Sequence, residues 1–160
     1  MVRVLIVEDH DMARMGLSVI LSKNPNIEIA DMSADGQDGV DKALALEPDV
    51  VIMDIGLPTI DGIEATRKIK SSNPHIKVLM YTSREEEDDI FDSFKAGADG
   101  YITKGATSEQ TVSAVLAVSE GAAWLDPAIA KVVLTNINKT SSSTERRGEI
   151  NYKLGKNLYG

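Results

Sequence analysis

The chain has 160 residues, a net charge of −8 and an apolar content of 42%, which is enough for one core-forming domain with an appendage. It contains no cysteine, so disulfides, thiolate nucleophiles and cysteine-based metal sites are excluded. The acidic balance disfavours non-specific nucleic-acid binding by the chain, and no apolar run is long enough for a membrane span. The opening stretch MVRVLIVEDHD is too short and too soon broken by acids to be a signal peptide, so a cytoplasmic location is expected.

Five short apolar runs recur along the chain: RVLIV (3–7), IEIAD (27–31), DVVIM (49–53), KVLMYT (77–82) and GYIT (100–103). Runs without alternation read as strands covered on both faces. Helical spacing lies between them: Ala13, Leu17, Ile20 and Leu21; then Val40, Ala43 and Leu44; then Ile63, Thr66 and Ile69; then Ile90, Phe91 and Phe94; then Val112, Val115 and Leu116. Strand and helix alternating five times predict an α/β fold, a five-stranded parallel sheet with helices on both faces.

Local signals mark the boundaries. NPN and NPH end the first and third helices. Ser83 with Glu86, and Thr107 with Gln110, predict capping boxes for the fourth and fifth. Gly97 stops the fourth. Asp126 as N-cap and Pro127 at the first turn open an additional helix over LDPAIAKVVLTNI, with Trp124 expected to pack beneath it. From about Asn138 the chain turns Ser/Thr-rich and then basic, and reads as a linker or tail.

Ligands of an open parallel sheet gather at the carboxyl ends of its strands. Glu8 and Asp9 end the first strand, Asp54 the third, Thr82 and Ser83 the fourth, and Lys104 the fifth. An acid after a buried run such as VVIM is costly unless it stands at the exposed strand end. Clustered carboxylates suit a hard cation with oxygen ligands, which points to magnesium, Mg2+. The lysine and the hydroxyl suit an anion beside that cation. A carboxylate can itself be the nucleophile that accepts a phosphoryl group. Taken singly, each of these groups is an ordinary loop acid, helix cap or surface lysine; their conjunction at one edge carries the reading. His10 reads as an exposed loop histidine, with metal ligation as the alternative.

The stretches VLIVEDHDMARMGL, DVVIMDIGLPTIDGIEATRKIK, VLMYTS and AGADGYITKGA resemble the receiver domain of a bacterial two-component response regulator. GIEATRKI and WLDPAIAKVVL resemble more particularly its NarL/LuxR type. The resemblance implies a doubly wound, flavodoxin-like sheet of order 2-1-3-4-5 with an extra C-terminal helix. It implies a receiver domain over 1–122, the additional helix over 123–137, and a linker or tail over 138–160 leading to an absent helix-turn-helix output domain. It implies that Asp54 is the phospho-acceptor and that Glu8, Asp9, Asp54 and the Gly56 carbonyl hold Mg2+. Thr82, Lys104 and Tyr101 match the phosphoryl-binding and switch positions, and Gly56 and Arg84 the positions that modulate phosphoryl lifetime. The implied partners are a sensor histidine kinase and, on phosphorylation, a second copy of the chain. DNA would be met only through the absent domain, and transcription controlled there. The chain is expected to be a signalling switch with self-catalysed phosphoryl transfer and autodephosphorylation, not an enzyme acting on other substrates. It departs from many receivers in having Gly105, where a proline follows the lysine.

Two rivals are weaker. A binding module without phosphorylation would leave the intact set of acids, hydroxyl and lysine unexplained. A flavin site would need small residues and N–H donors where EDHDMAR stands, and a haloacid-type phosphatase would need an acid at position 56, where there is glycine.

Overall fold

In the computed structural model, residues 1–146 are described in their backbone and residues 1–138 in their side chains. The five predicted strands form at β1 (Val2–Val7), β2 (Ile27–Ser33), β3 (Val50–Met53), β4 (Lys77–Thr82) and β5 (Gly100–Thr103). The helices between and after them are α1 (Asp11–Ser22), α2 (Gly36–Leu46), α3 (Gly62–Ser72), α4 (Glu87–Lys95) and α5 (Ser108–Ser119). A two-residue β6 (Trp124–Leu125) follows, and then α6 (Pro127–Arg146). All pairings are parallel and the sheet order is β2-β1-β3-β4-β5-β6.

The expected five-stranded sheet therefore gains a sixth strand at its β5 edge. Gly100 pairs with Trp124 and Tyr101 with Leu125. Two residues are too few to show any periodicity, so this strand is invisible in sequence. Trp124 packs against the hydrophobic core rather than standing apart from it.

The strands are apolar on both faces because both faces are covered. Val4, Ile6, Val50, Ile52, Leu79 and Ile102 pack with Leu17 and Leu21 of α1 and Ala114, Val115 and Val118 of α5. The alternate residues turn the other way. Val7 touches α2, where a Cβ on Gly39 would stand 2.8 Å from its side chain. Met80 touches α3, where the Thr66 hydroxyl approaches its sulfur at 3.5 Å.

The predicted caps fare differently. Thr107 and Gln110 form the capping box of α5, and Gly97 ends α4 at φ +108°, with Ala98 N donating to Ser93 O at 3.0 Å. The Ser83–Glu86 box does not form. The N-cap of α4 is Glu86, without a side-chain cap bond. The preceding residues are held elsewhere: Arg84 N donates to Thr82 Oγ1 at 3.3 Å, and Arg84 O accepts from Tyr101 Oη at 2.8 Å. These bonds tie Arg84 to Thr82 of β4 and Tyr101 of β5, and the helix begins only at Glu87. Asp126 turns its carboxylate to β5, where Oδ2 accepts from Thr103 N at 2.8 Å.

Contacts divide the chain into a unit ending at Asp126 and a second beginning at Pro127. Within the second, α6 continues to Arg146, beyond the position where the sequence predicts a tail. The last part of that tail, 147–160, lies outside the described residues. Among the described residues no helix is long and apolar enough to cross a membrane.

Candidate functional site

Register builds the site. Val7 pairs with Met53 in the β1–β3 ladder, so the residues that follow, Glu8 and Asp54, emerge side by side. Thr82 pairs with Thr103, and Lys104 N then donates to Thr82 O at 3.1 Å. Four strand ends thereby deliver Glu8, Asp9, Asp54, Thr82 and Lys104 to one edge.

Asp54 is anchored on both sides. Its N–H donates to Val7 O at 3.0 Å, and its Oδ1 accepts from Ile55 N at 2.8 Å. Lys104 Nζ reaches Asp54 Oδ2 at 3.0 Å and Glu8 Oε1 at 2.7 Å. Glu8 and Asp54 are buried, at 1% and 5% exposure. Two carboxylates this dry repel one another, and Lys104 is the cation that holds them together. Burial alone would push the Lys104 ammonium down, but its bonds to Glu8 and Asp54 outweigh that and hold it above the usual lysine value. Its ammonium also lies 5.9 Å from the centre of the Tyr81 ring.

The acids can hold a cation. Single ligand atoms from Glu8, Asp9, His10 and Asp54 all lie within 4.8 Å of one another. Asp9 Oδ1 is buried and accepts no hydrogen bond within the described residues. A buried carboxylate oxygen without a donor is costly, and a hard cation bound through oxygen removes that cost. Mg2+ fits this set.

Thr82 and Tyr101 are close by. Thr82 is buried, and its hydroxyl oxygen accepts from Arg84 N. Tyr101 is fully buried, its ring 6.4 Å from that of Phe94, and its hydroxyl donates to Arg84 O. Burial pushes the Tyr101 phenol well above its usual value, so it stays a donor. Arg84 extends back over the loop after Asp54: a Cβ on Gly56 would lie 3.3 Å from Arg84 Nη2. The guanidinium is 3.8 Å from Asp89 Oδ2.

Sequence reasoning missed Gly62. A Cβ there would stand 1.8 Å from the carbonyl oxygen of Asp54, and Gly62 N donates to Ile55 O at 2.7 Å. The first residue of α3 thus presses directly on the backbone of Asp54. The signal available was the Asp61-Gly62 pair before the apolar spacing of that helix.

Removing the cation has a predictable pH signature. In metal-free buffer Lys104→Gln leaves buried Glu8 and Asp54 uncompensated and lowers stability at neutral pH by about 3 kcal/mol. In the parent the lysine is raised, so its contribution is complete below the ordinary lysine pKa and fades as pH rises through its elevated folded value. The deficit of the variant is therefore expected to be full at neutral pH and to narrow as pH rises through the elevated lysine value. Urea unfolding at neutral and alkaline pH measures it; a deficit that does not narrow on the alkaline side would contradict the account.

A family model described as response regulator receiver domain matches residues 4–116. The response regulator GacA of Pseudomonas viridiflava is 40% identical over 131 residues, 82% of this chain and 61% of that protein. The response regulator protein VraR of Staphylococcus aureus is 36% identical over 153 residues, 93% of this chain and 73% of that protein. The crystal structure of a LuxR-family two-component response regulator from Aurantimonas sp. SI85-9A1 superposes with a TM-score of 0.81 at 30% identity, covering 84% of this chain and 96% of that one.

Proposed function

This chain belongs to the response regulator receiver family, and on that premise we propose that Asp54 accepts a phosphoryl group from a sensor histidine kinase. The observation that carries the proposal is the convergence of Asp54, Glu8 and Lys104 within ion-pair distance at a sheet edge, beside the undonated Asp9 Oδ1.

The chemistry follows from positions. An Asp54 carboxylate oxygen attacks phosphorus of the donor, an O–P bond forms, and the donor's N–P bond breaks with the electron pair leaving on the imidazole. Ile55 N–H holds Oδ1 and fixes the carboxylate plane. Lys104, now paired with Oδ2, turns to the phosphoryl oxygens. Glu8, Asp9, Asp54 and the Gly56 carbonyl would hold Mg2+, which supplies neutralisation of the developing phosphoryl charge.

The switch is local and two-state. A phosphoryl group at Asp54 offers new acceptors to the Thr82 hydroxyl, which today accepts from Arg84 N. Tyr101 reports on that same segment through Arg84 O. A shift of Thr82 therefore reaches the surface made by α4, β5 and α5. Gly56 leaves the approach to phosphorus open, and the Arg84 guanidinium above it regulates how fast water arrives. The transfer and the later hydrolysis are single-use chemistry by the chain on itself, and the whole acts as a cytoplasmic signalling switch.

The chain spans 61% of the GacA relative and 73% of the VraR relative. The output is accordingly proposed for a longer protein: phosphorylation brings two copies together and delivers two DNA-binding domains that control transcription. Intact mass after incubation with a small acyl phosphate tests the acceptor step. One base-labile phosphoryl group added with Mg2+, and none with a chelator, is the expected result; no addition by a folded chain that binds the metal would overturn the proposal.

A further inference from the structure

Asp126 is a buried acid outside the acceptor pocket, 5% exposed. Neutral donors meet it. Oδ2 accepts from Thr103 N at 2.8 Å and from Thr103 Oγ1 at 3.2 Å, and Oδ1 accepts from the Trp124 indole Nε1 at 3.4 Å. A carboxylate this dry costs stability unless donors surround it. Two of these three donors belong to Thr103, the residue immediately before Lys104.

The short β6 explains the placement. Its two residues pair with Gly100 and Tyr101, and Asp126 N then donates to Tyr101 O at 3.3 Å. At Thr103 the outer edge of β5 has run past that strand, and the Asp126 carboxylate takes the N–H in place of a backbone carbonyl. Thr103 O accepts from Ala106 N at 3.0 Å, so every polar group of Thr103 is engaged. On the inner side Lys104 N donates to Thr82 O at 3.1 Å. Packing adds no restraint at the next position, where a Cβ on Gly105 would meet nothing closer than Thr103 Oγ1 at 3.9 Å. The backbone from which Lys104 springs is therefore gripped from two sides, by β4 and by Asp126.

We propose that Asp126 is a positioning residue for phosphoryl transfer, acting through Thr103 to fix where Lys104 meets the phosphoryl oxygens. The inference rests on the acceptor reading and deepens it. Lys104 Nζ now lies 2.7 Å from Glu8 Oε1 and 3.0 Å from Asp54 Oδ2, and it must turn from the carboxylate to the incoming group. A lysine is a point charge on a flexible four-carbon stem, so its aim depends on a fixed origin. Without the outer grip, the glycine that follows lets the 103–105 backbone drift. A drift of about 1 Å is enough to cost rate, because electrostatic stabilisation of the transferred group requires a preplaced charge. Asp126 itself touches neither the acceptor nor the acidic cluster.

A double-mutant cycle on the full chain tests this, with Asp126→Ala, Lys104→Gln and the two combined. Labelling rate with a small acyl phosphate and Mg2+ is measured where urea unfolding shows each variant folded, and Mg2+ affinity is measured by calorimetry. Asp126→Ala is expected to label about 10-fold more slowly, with Mg2+ affinity within about twofold of the parent, since the acidic cluster takes no residue from β5. In the Lys104→Gln background the same change should alter the rate by less than about twofold, because the group it aims is gone. Asp126→Asn keeps an oxygen for Thr103 N and should restore most of the rate. If Asp126→Ala does not fold, Asp126→Ser, whose short hydroxyl suits a helix start, replaces it with the same expectations. A parent rate in the folded variant would overturn the inference. So would an equal loss in the Lys104→Gln background, or a matching fall in Mg2+ affinity, either of which marks a general structural effect. A parent that takes no label would overturn the acceptor reading itself, whereas a labelled parent with an indifferent Asp126 removes only the positioning role.

Discussion

Asp54→Asn abolishes phosphoryl uptake while leaving the fold in place. The amide is nearly isosteric with the carboxylate, and its oxygen can still accept from Ile55 N, the bond that now holds Asp54 Oδ1 at 2.8 Å. What it lacks is nucleophilicity, so the drop in labelling runs to background rather than to a fraction. Stability should not suffer. Asp54 and Glu8 are both buried and share one lysine. Removing one negative charge leaves Lys104 paired with Glu8 alone and relieves repulsion, so the unfolding free energy should hold within about 1 kcal/mol or rise. Intact mass after treatment with a small acyl phosphate and Mg2+, alongside urea unfolding, measures both halves. A folded variant that still gains one phosphoryl group would move the acceptor to another carboxylate, and Asp9 is the next in the cluster.

The legible part of this site is the part that strands control. Val50–Met53 reads as a buried strand because both sides of the sheet are covered, and the acid that follows it stands at the strand's carboxyl end, buried there and compensated by Lys104 rather than exposed. The same logic places Glu8 after Val7, Thr82 at the end of β4 and Lys104 after Thr103. Parallel register does the rest, since Val7 opposite Met53 fixes Glu8 beside Asp54. The illegible parts depend on contacts between segments distant in sequence. The pattern at Ser83 and Glu86 satisfies the rule for a helix start, yet Thr82 and Tyr101 take hold of Arg84 and delay the helix to Glu87. β6 exists because β5 offers a free edge to Trp124 and Leu125, and no pattern of two residues announces that. His10 reads as an exposed loop residue, and it is exposed; only coordinates reveal that Nδ1 turns inward to Asp9 and Glu8.

Gly62→Ala is expected to cost more than any surface change in the domain, about 3 kcal/mol, and to slow phosphoryl uptake beyond what lost stability explains. The added methyl would stand 1.8 Å from Asp54 O, 2.7 Å from Asp54 C and 2.9 Å from Ile55 Cα. These are backbone atoms, so no rotamer change relieves the clash. Either α3 retreats or the 54–55 peptide rotates. Retreat breaks the 2.7 Å bond from Gly62 N to Ile55 O and opens the packing of Ala65, Thr66 and Ile69 beneath it. Rotation of the peptide moves Ile55 N, which fixes the Asp54 carboxylate plane. Near-attack geometry tolerates little of that, and a displacement of about 1 Å can cost 10²-fold in rate. Urea unfolding gives the first number; labelling rate with the acyl phosphate, at a temperature where the variant is fully folded, gives the second. Stability within about 0.5 kcal/mol of the parent would mean that the loop yields freely. Asp54 would then owe its position to Val7 and Lys104 alone, and the close approach of α3 would be incidental to the site.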